Sequence, residues 1–132
     1  MKDGHMRFGD FIRKIRLDDP RELTQKDVAD HLGFKEAYIG HVENNMRKPF
    51  ERDKLELLAS YLNMTEDDRM MMYDLAGREK HIIPYDIEDT LLNEDVGELI
   101  QYATRQTKAG FIKEEDWKTF IRQKEDEKKK QQ

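Results

Sequence analysis

The sequence predicts an all-α protein on three observations. Apolar residues recur at i, i+3, i+4 and i+7 in one segment after another, the spacing that lines one face of a helix. Thr, Gly, Asn and Pro fall at the ends of those segments, where helices start and stop. No run alternates apolar and polar residues as a half-buried strand does, and no internal repeat stands out.

Taken in order, Phe8, Phe11, Ile12 and Ile15 define a first helix that ends before Asp18-Asp19-Pro20, because proline disfavours helical backbone at the residue before it. Thr24 caps a second helix from about Gln25 to Leu32, which turns Val28, Ala29 and Leu32 inward and leaves Gly33 just past its end. A third runs from about Lys35 to Asn44 with Ile39 and Val42 as its buried pair. After the polar loop 44–49, a fourth helix carries Leu55, Leu58, Ala59 and Leu62, and Asn63 suits its C-terminal cap. Thr65 caps a fifth through about Ala76, with Glu66, Asp67 and Asp68 near its positive end and Gly77 as its stop.

Residues 78–85 read as a connector whose Ile82-Ile83-Pro84-Tyr85 packs on something. Short helices follow at 86–92, at about 95–108 and from about 114, the last two separated by Gly110. The mixed-charge run from Lys124 to Gln132 holds no apolar residue and reads as a disordered tail. Gly4-His5-Met6 has the look of a cloning scar with a natural start at Met6. The expected organisation is therefore 1–6 scar and start, 7–77 a helical domain, 78–123 a C-terminal helical segment and 124–132 a charged tail.

Composition removes whole classes of function. There is no cysteine, so disulfides, thiol catalysis and cysteine-held zinc are excluded, and a reducing cytoplasm is the natural setting. No stretch of about 18 apolar residues is present to span a bilayer, and no membrane association is expected. The four histidines, His5, His31, His41 and His81, lack metal-ligand spacing, so neither a metal nor a cofactor is expected. Asp86, Glu88 and Asp89 have no accompanying base or nucleophile and read as a solvated helix start. Ser60, the only serine, lies mid-helix, which argues against a nucleophile. Met70-Met71-Met72 reads as adaptable core filler. An enzyme is not expected.

Two short helices joined by a glycine-containing turn make a helix-turn-helix, whose second helix is shaped to enter a major groove. The stretch LTQKDVADHLGFKEAYIGHVENNMRKP, residues 23–49, resembles the Cro and phage-repressor (XRE-type) helix-turn-helix regulators. Leu23, Thr24, Gln25, Ala29, Gly33, Ile39, Glu43, Arg47 and Pro49 match that pattern, and the likeness extends over about residues 7–76. It implies a lambda-repressor-like five-helix DNA-binding domain followed by the C-terminal helical segment. Lys35, Gly40 and Asn45 depart from the pattern, which has Ser or Thr, often Ser, and Gly at these places. The segment from Arg16 to Thr24 is about two residues longer than usual.

Carried over residue by residue, the resemblance implies that Gln25 and Asn44 touch phosphates with Arg47 and Lys48 beside them, and the charge of Lys35 makes it a further candidate for the DNA backbone. Glu36, Ala37, Gly40 and His41 then face the bases, on the side of the third helix opposite Ile39 and Val42. Tyr38 reaches either backbone or base, and His41 either meets DNA or is solvated. Glu43 is implied to pair with an arginine of the first helix, Arg16 or Arg13, because a carboxylate without a partner is repelled by phosphate. Some phage-type repressors cut themselves at Ala-Gly with a Ser-Lys dyad, but no serine stands in the C-terminal half to use Ala76-Gly77 or Ala109-Gly110.

The implied function is sequence-specific binding of double-stranded DNA by a homodimeric transcriptional regulator of bacterial, phage or mobile-element type, a repressor that occludes a promoter at a palindromic operator. Leu91, Leu92, Leu99, Ile100, Trp117, Phe120 and Ile121 are the candidate dimer or partner contacts. A regulatory protein partner such as a protease or a toxin fits the same resemblance. The competing reading is an antitoxin-type or protein-interaction module with this fold and little DNA affinity, and the net charge of −5 speaks for it. Residues 1–78 hold 14 basic and 16 acidic side chains and residues 79–132 hold 10 and 13, so no basic tail supplies bulk attraction to a polyanion. Binding needs positive potential only where phosphates lie, and local groups can supply it.

Overall fold

A computed structural model describes residues 6–131, and among them it contains eight helices and no strand. These are α1 (Phe8–Asp18), α2 (Gln25–Leu32), α3 (Glu36–Glu43), α4 (Arg52–Tyr61), α5 (Glu66–Lys80), α6 (Glu88–Leu92), α7 (Val96–Lys108) and α8 (Glu114–Lys130). The chain divides into two compact units, Met1–Glu88 and Asp89–Gln132. Gly4 and His5 of the expected scar lie outside the described residues. No helix among the described residues is long and apolar enough to cross a membrane.

The inward stripes of α1 to α5 meet in one core. Phe8, Ile12, Val28, Leu32, Ile39, Leu55, Leu58, Met72 and Leu75 are all shielded from solvent there. Each such side chain stabilises the fold by about 2 kcal/mol relative to exposure. The start of α1 is held by distant groups: Glu79 of α5 accepts the Phe8 N–H at 2.6 Å and Asn45 accepts the Gly9 N–H at 2.9 Å. Gly9 has no alternative here, since a Cβ would drive into the carbonyl of Val42.

Caps explain where the helices stop. Gly33 sits in left-handed backbone (φ 80°), and the following Phe34 N–H returns to the Ala29 carbonyl at 2.9 Å. Asn63 closes α4 the same way (φ 50°), with Met64 N–H bonded to Ala59 O at 3.0 Å.

Several expectations need correction. Gly77 does not stop α5: the helix runs on to Lys80 and ends at His81 in left-handed backbone, with Ile82 N–H bonded to Gly77 O. Gly77 is there for close approach, because a Cβ would meet the Ile82 carbonyl at 2.9 Å and Pro84 at 3.2 Å. The connector therefore docks on α5, Tyr85 packs on the core, and the first compact unit runs to Glu88. Of the three consecutive methionines only Met72 is buried, and Met70 is exposed. Neighbours on a helix point about 100° apart, so Met72 enters the core, Met71 packs partly buried against it and Met70 faces away.

The expected disordered tail is also revised, since α8 is helical through Lys130. Glu114, Glu115 and Asp116 open it and Lys128, Lys129 and Lys130 close it, which suits the helix dipole at both ends. Ion pairs from Lys118 to Glu114 and Lys124 to Glu127 lie along it. Within the second unit, Gly97 is buried where a Cβ would strike the Leu91 carbonyl, Gln101 donates to Leu91 O at 2.8 Å, and the Trp117 indole N–H donates to Thr107 Oγ1 at 2.9 Å. Gly110, at φ 90°, makes the turn between α7 and α8.

Candidate nucleic-acid interface

The interface is built on α2, the turn after it, α3 and the loop 44–49. Thr24 and Asp27 cap α2 reciprocally: Thr24 Oγ1 accepts the Asp27 N–H at 3.1 Å, and Asp27 accepts the Thr24 N–H at 2.8 Å. The amide bond to Thr24 holds the Asp27 carboxyl below its usual range. At the other end, Lys54 of α4 donates to Leu32 O at 2.7 Å, where carbonyls of α2 lack helical partners. α3 starts at Lys35 with no side-chain cap, as suits a residue that is neither Ser, Thr nor Asp.

On α3, Ile39, Val42 and Glu43 are buried, while Glu36, Ala37 and His41 are exposed and Gly40 is half-buried. Asn44, Arg47, Lys48 and Lys35 are exposed beside them. The face with small Ala37 and Gly40 at its centre is low enough for a close approach, with a carboxylate and an imidazole at its edges.

Tyr38 lies to one side of that face. Its ring packs 4.7 Å from Phe34 and 6.1 Å from Phe50, with the Arg47 guanidinium 6.0 Å from its centroid. Together with Met46 and Lys48 these residues line an open cavity of about 600 Å³.

Arg16 and not Arg13 holds Glu43. The guanidinium grips the carboxylate at two points, Nε to Oε2 at 2.7 Å and Nη2 to Oε1 at 2.9 Å, and the remaining Nη1 donates to Leu23 O at 2.9 Å. Both side chains are almost fully buried, and the carboxylate raises the Arg16 pKa. The same Oε1 also accepts from Gln25 Nε2 at 2.9 Å.

Three features were not legible from sequence reasoning. Lys26 of α2 is exposed and pairs with Asp30, and that bond first and the field of Glu36 further on raise its pKa. Glu36 thus has a cation near it; the signal was the position of Lys26, next to Gln25 in the first turn of α2. The long α1–α2 connection is pinned by Arg21, which donates to Asp19 and to Tyr61 O at 2.6 Å while lying over the Tyr61 ring. His31 stacks on that ring from α2, at 4.1 Å. The third feature is the Gln25 bond to Glu43.

Among the candidate dimer contacts, Leu92, Leu99, Phe120 and Ile121 are exposed, joined by Tyr102 and Phe111. Leu91, Ile100 and Trp117 are half-buried. Among the described residues no group of three or more His, Asp or Glu is placed to hold a metal.

Residues 12–68 match the family model described as Helix-turn-helix. No curated protein and no solved structure matches the chain.

Proposed function

Because residues 12–68 are a helix-turn-helix domain of the XRE type, which implies DNA binding, we propose that the protein is a transcriptional repressor acting as a homodimer on a palindromic operator. The observation that carries this reading is the exposed face of α3, Glu36, Ala37 and His41 around Gly40, bordered by Gln25, Asn44, Arg47 and Lys48. In it α2 lies across the DNA backbone and α3 enters the major groove. Phosphates are met by Gln25, Lys35, Asn44, Arg47, Lys48 and the Tyr38 edge, and bases by Glu36, Ala37, Gly40 and His41.

The base side has a definite chemistry. A glutamate accepts from the N4 amino group of cytosine, an alanine packs on the methyl group of thymine, and an imidazole N–H donates to guanine. The chain's acidic balance makes non-specific attachment weak, so affinity is concentrated at sites that satisfy these contacts. The exposed Leu92, Leu99, Phe120 and Ile121 supply an apolar surface for a second copy or a regulatory protein, and two α3 helices about 34 Å apart then set the half-site spacing.

The net charge of −5 favours a second reading, an antitoxin-type or protein-interaction module with little affinity for DNA. Selection of bound sequences from random duplexes, with the mass of the complex measured alongside, separates the two. A palindromic consensus held by two chains, with affinity falling steeply in salt, supports the repressor; no enriched sequence at low ionic strength supports the module.

A further inference from the structure

The geometry points to Glu43 as a positioning residue for DNA binding: buried within the fold, it fixes the Gln25 carboxamide so that one N–H is left to donate to a phosphate. The inference rests on the DNA-binding reading above.

A glutamine amide offers two donors on nitrogen and one acceptor on oxygen, and turning it over exchanges them. Free in solvent, Gln25 presents either end to an approaching phosphate, and only the nitrogen end attracts it. Glu43 removes that choice. Its Oε1 accepts one Nε2 hydrogen at 2.9 Å, whereas the flipped amide would set a carbonyl oxygen against a carboxylate. Glu43 itself cannot turn, because Arg16 holds both of its oxygens. Through Nη1 and Leu23 O, Arg16 also anchors the backbone just ahead of α2, so the helix that carries Gln25 and the amide itself refer to one buried charge pair.

Gly40 completes the arrangement. A Cβ at this position would lie 3.3 Å from Gln25 Oε1, tighter than ordinary van der Waals contact. With no side chain at Gly40, the amide keeps this position without having to give by the few tenths of an ångström that a methyl group would demand. The departure from serine at this position and the Gln25–Glu43 bond are thus parts of one device.

Holding a side chain in its bound orientation beforehand removes the ordering cost from the binding step. The test is a double-mutant cycle on binding to a random-sequence duplex at low ionic strength, with Gly40→Ala, Gln25→Ala and the pair. Alanine is a better helix former than glycine, so the fold survives the first change. Gly40→Ala is expected to weaken binding roughly 3- to 10-fold when Gln25 is present and to have little effect when it is absent. A loss that persists with Gln25→Ala means that the methyl group meets DNA directly and overturns the inference while leaving the DNA-binding reading intact.

A second measurement reads the free protein. The Nε2 hydrogens of Gln25 should resonate away from the positions of a solvent-exposed glutamine amide and exchange slowly with water, and Glu43→Asp, which keeps the charge for Arg16 but shortens the arm, should bring them back. Gln25 Nε2 resonances at the positions of a solvent-exposed amide in the wild type, or unmoved by Glu43→Asp, overturn the inference. A wild-type protein that binds no duplex overturns it together with the reading it rests on.

Discussion

Asn45 stands in left-handed backbone, φ 61°, and bridges the loop after α3 to the start of α1: its Oδ1 accepts the Gly9 N–H at 2.9 Å and its Nδ2 donates to Asp10 Oδ1 at 3.0 Å. Glycine is usual here in the helix-turn-helix pattern that residues 23–49 resemble, because left-handed backbone excludes most side chains. Asparagine tolerates that conformation, and in exchange it gains a link that glycine cannot make. The loop so fixed is the one that presents Arg47 and Lys48.

Two substitutions separate the backbone from the link. Asn45→Gly keeps the turn and loses the link, and is expected to cost about 1 kcal/mol. Asn45→Ala loses the link and also strains the turn, adding about 1–2 kcal/mol. Urea midpoints at constant slope measure both. Equal losses would show that the backbone conformation carries no penalty, and an unchanged Asn45→Gly midpoint would show that the link carries no stability.

The fold was largely legible because its signals are local. The four-position stripe of Leu55, Leu58, Ala59 and Leu62 and the caps at Thr24, Gly33, Asn63 and Thr65 each act within a turn or two of chain. What escaped depends on contacts distant in sequence. Gly77 reads as a helix stop from its neighbours alone, yet its purpose is to let Ile82 and Pro84 fold back against α5. Lys80, paired with Glu51 and close to the Tyr85 hydroxyl, is part of the same closure. In the interface, the types and spacing of residues suggested the two faces of α3. They could not show that Gln25 is engaged by Glu43, since 18 residues separate them.

The loop between α1 and α2 supplies an acid-sensitive link. Arg21 donates two side-chain hydrogen bonds to Asp19, and these, with the backbone amide of Arg21, lower the Asp19 pKa from 3.8 to about 2. A carboxyl depressed in the folded state adds stability above its unfolded value, and that stability is lost as pH falls through the folded value. The contribution is therefore complete above about pH 4 and fades toward pH 2. Asp19→Asn should lower the melting temperature at neutral pH and converge on the wild type near pH 2. A constant gap at every pH would mean that the carboxylate's charge is not what matters.

Three cations line the cavity beside Tyr38, in two different settings. Arg47 and Lys48 are exposed, whereas Lys54 donates to the Leu32 carbonyl at the end of α2. Arg47→Gln and Lys48→Gln should each weaken binding across all sequences and lower the slope of log affinity against log salt by about 1. Lys54→Gln should instead lower thermal stability with a smaller change of slope. Titrations at several salt concentrations, beside melting curves, give both quantities; a slope unmoved by Arg47→Gln or Lys48→Gln would remove that residue from the phosphate contacts.

Glu36 is the most exacting residue of the interface, because a carboxylate repels phosphate wherever it does not find a donor. In the proposed contact with the N4 amino group of cytosine it would gain a hydrogen bond from a base that no phosphate contact distinguishes, worth about 1–3 kcal/mol of discrimination. Glu36→Gln keeps the size, removes the charge and adds a donor that suits adenine. It should therefore bind random duplexes at least as well as the wild type, since one repulsion is gone, while the preference at one position of each half-site broadens from cytosine toward adenine. Selection from random duplexes with the two proteins in parallel reads the change directly. An identical consensus would show that Glu36 touches no base, and its place on the exposed face of α3 would then need another account.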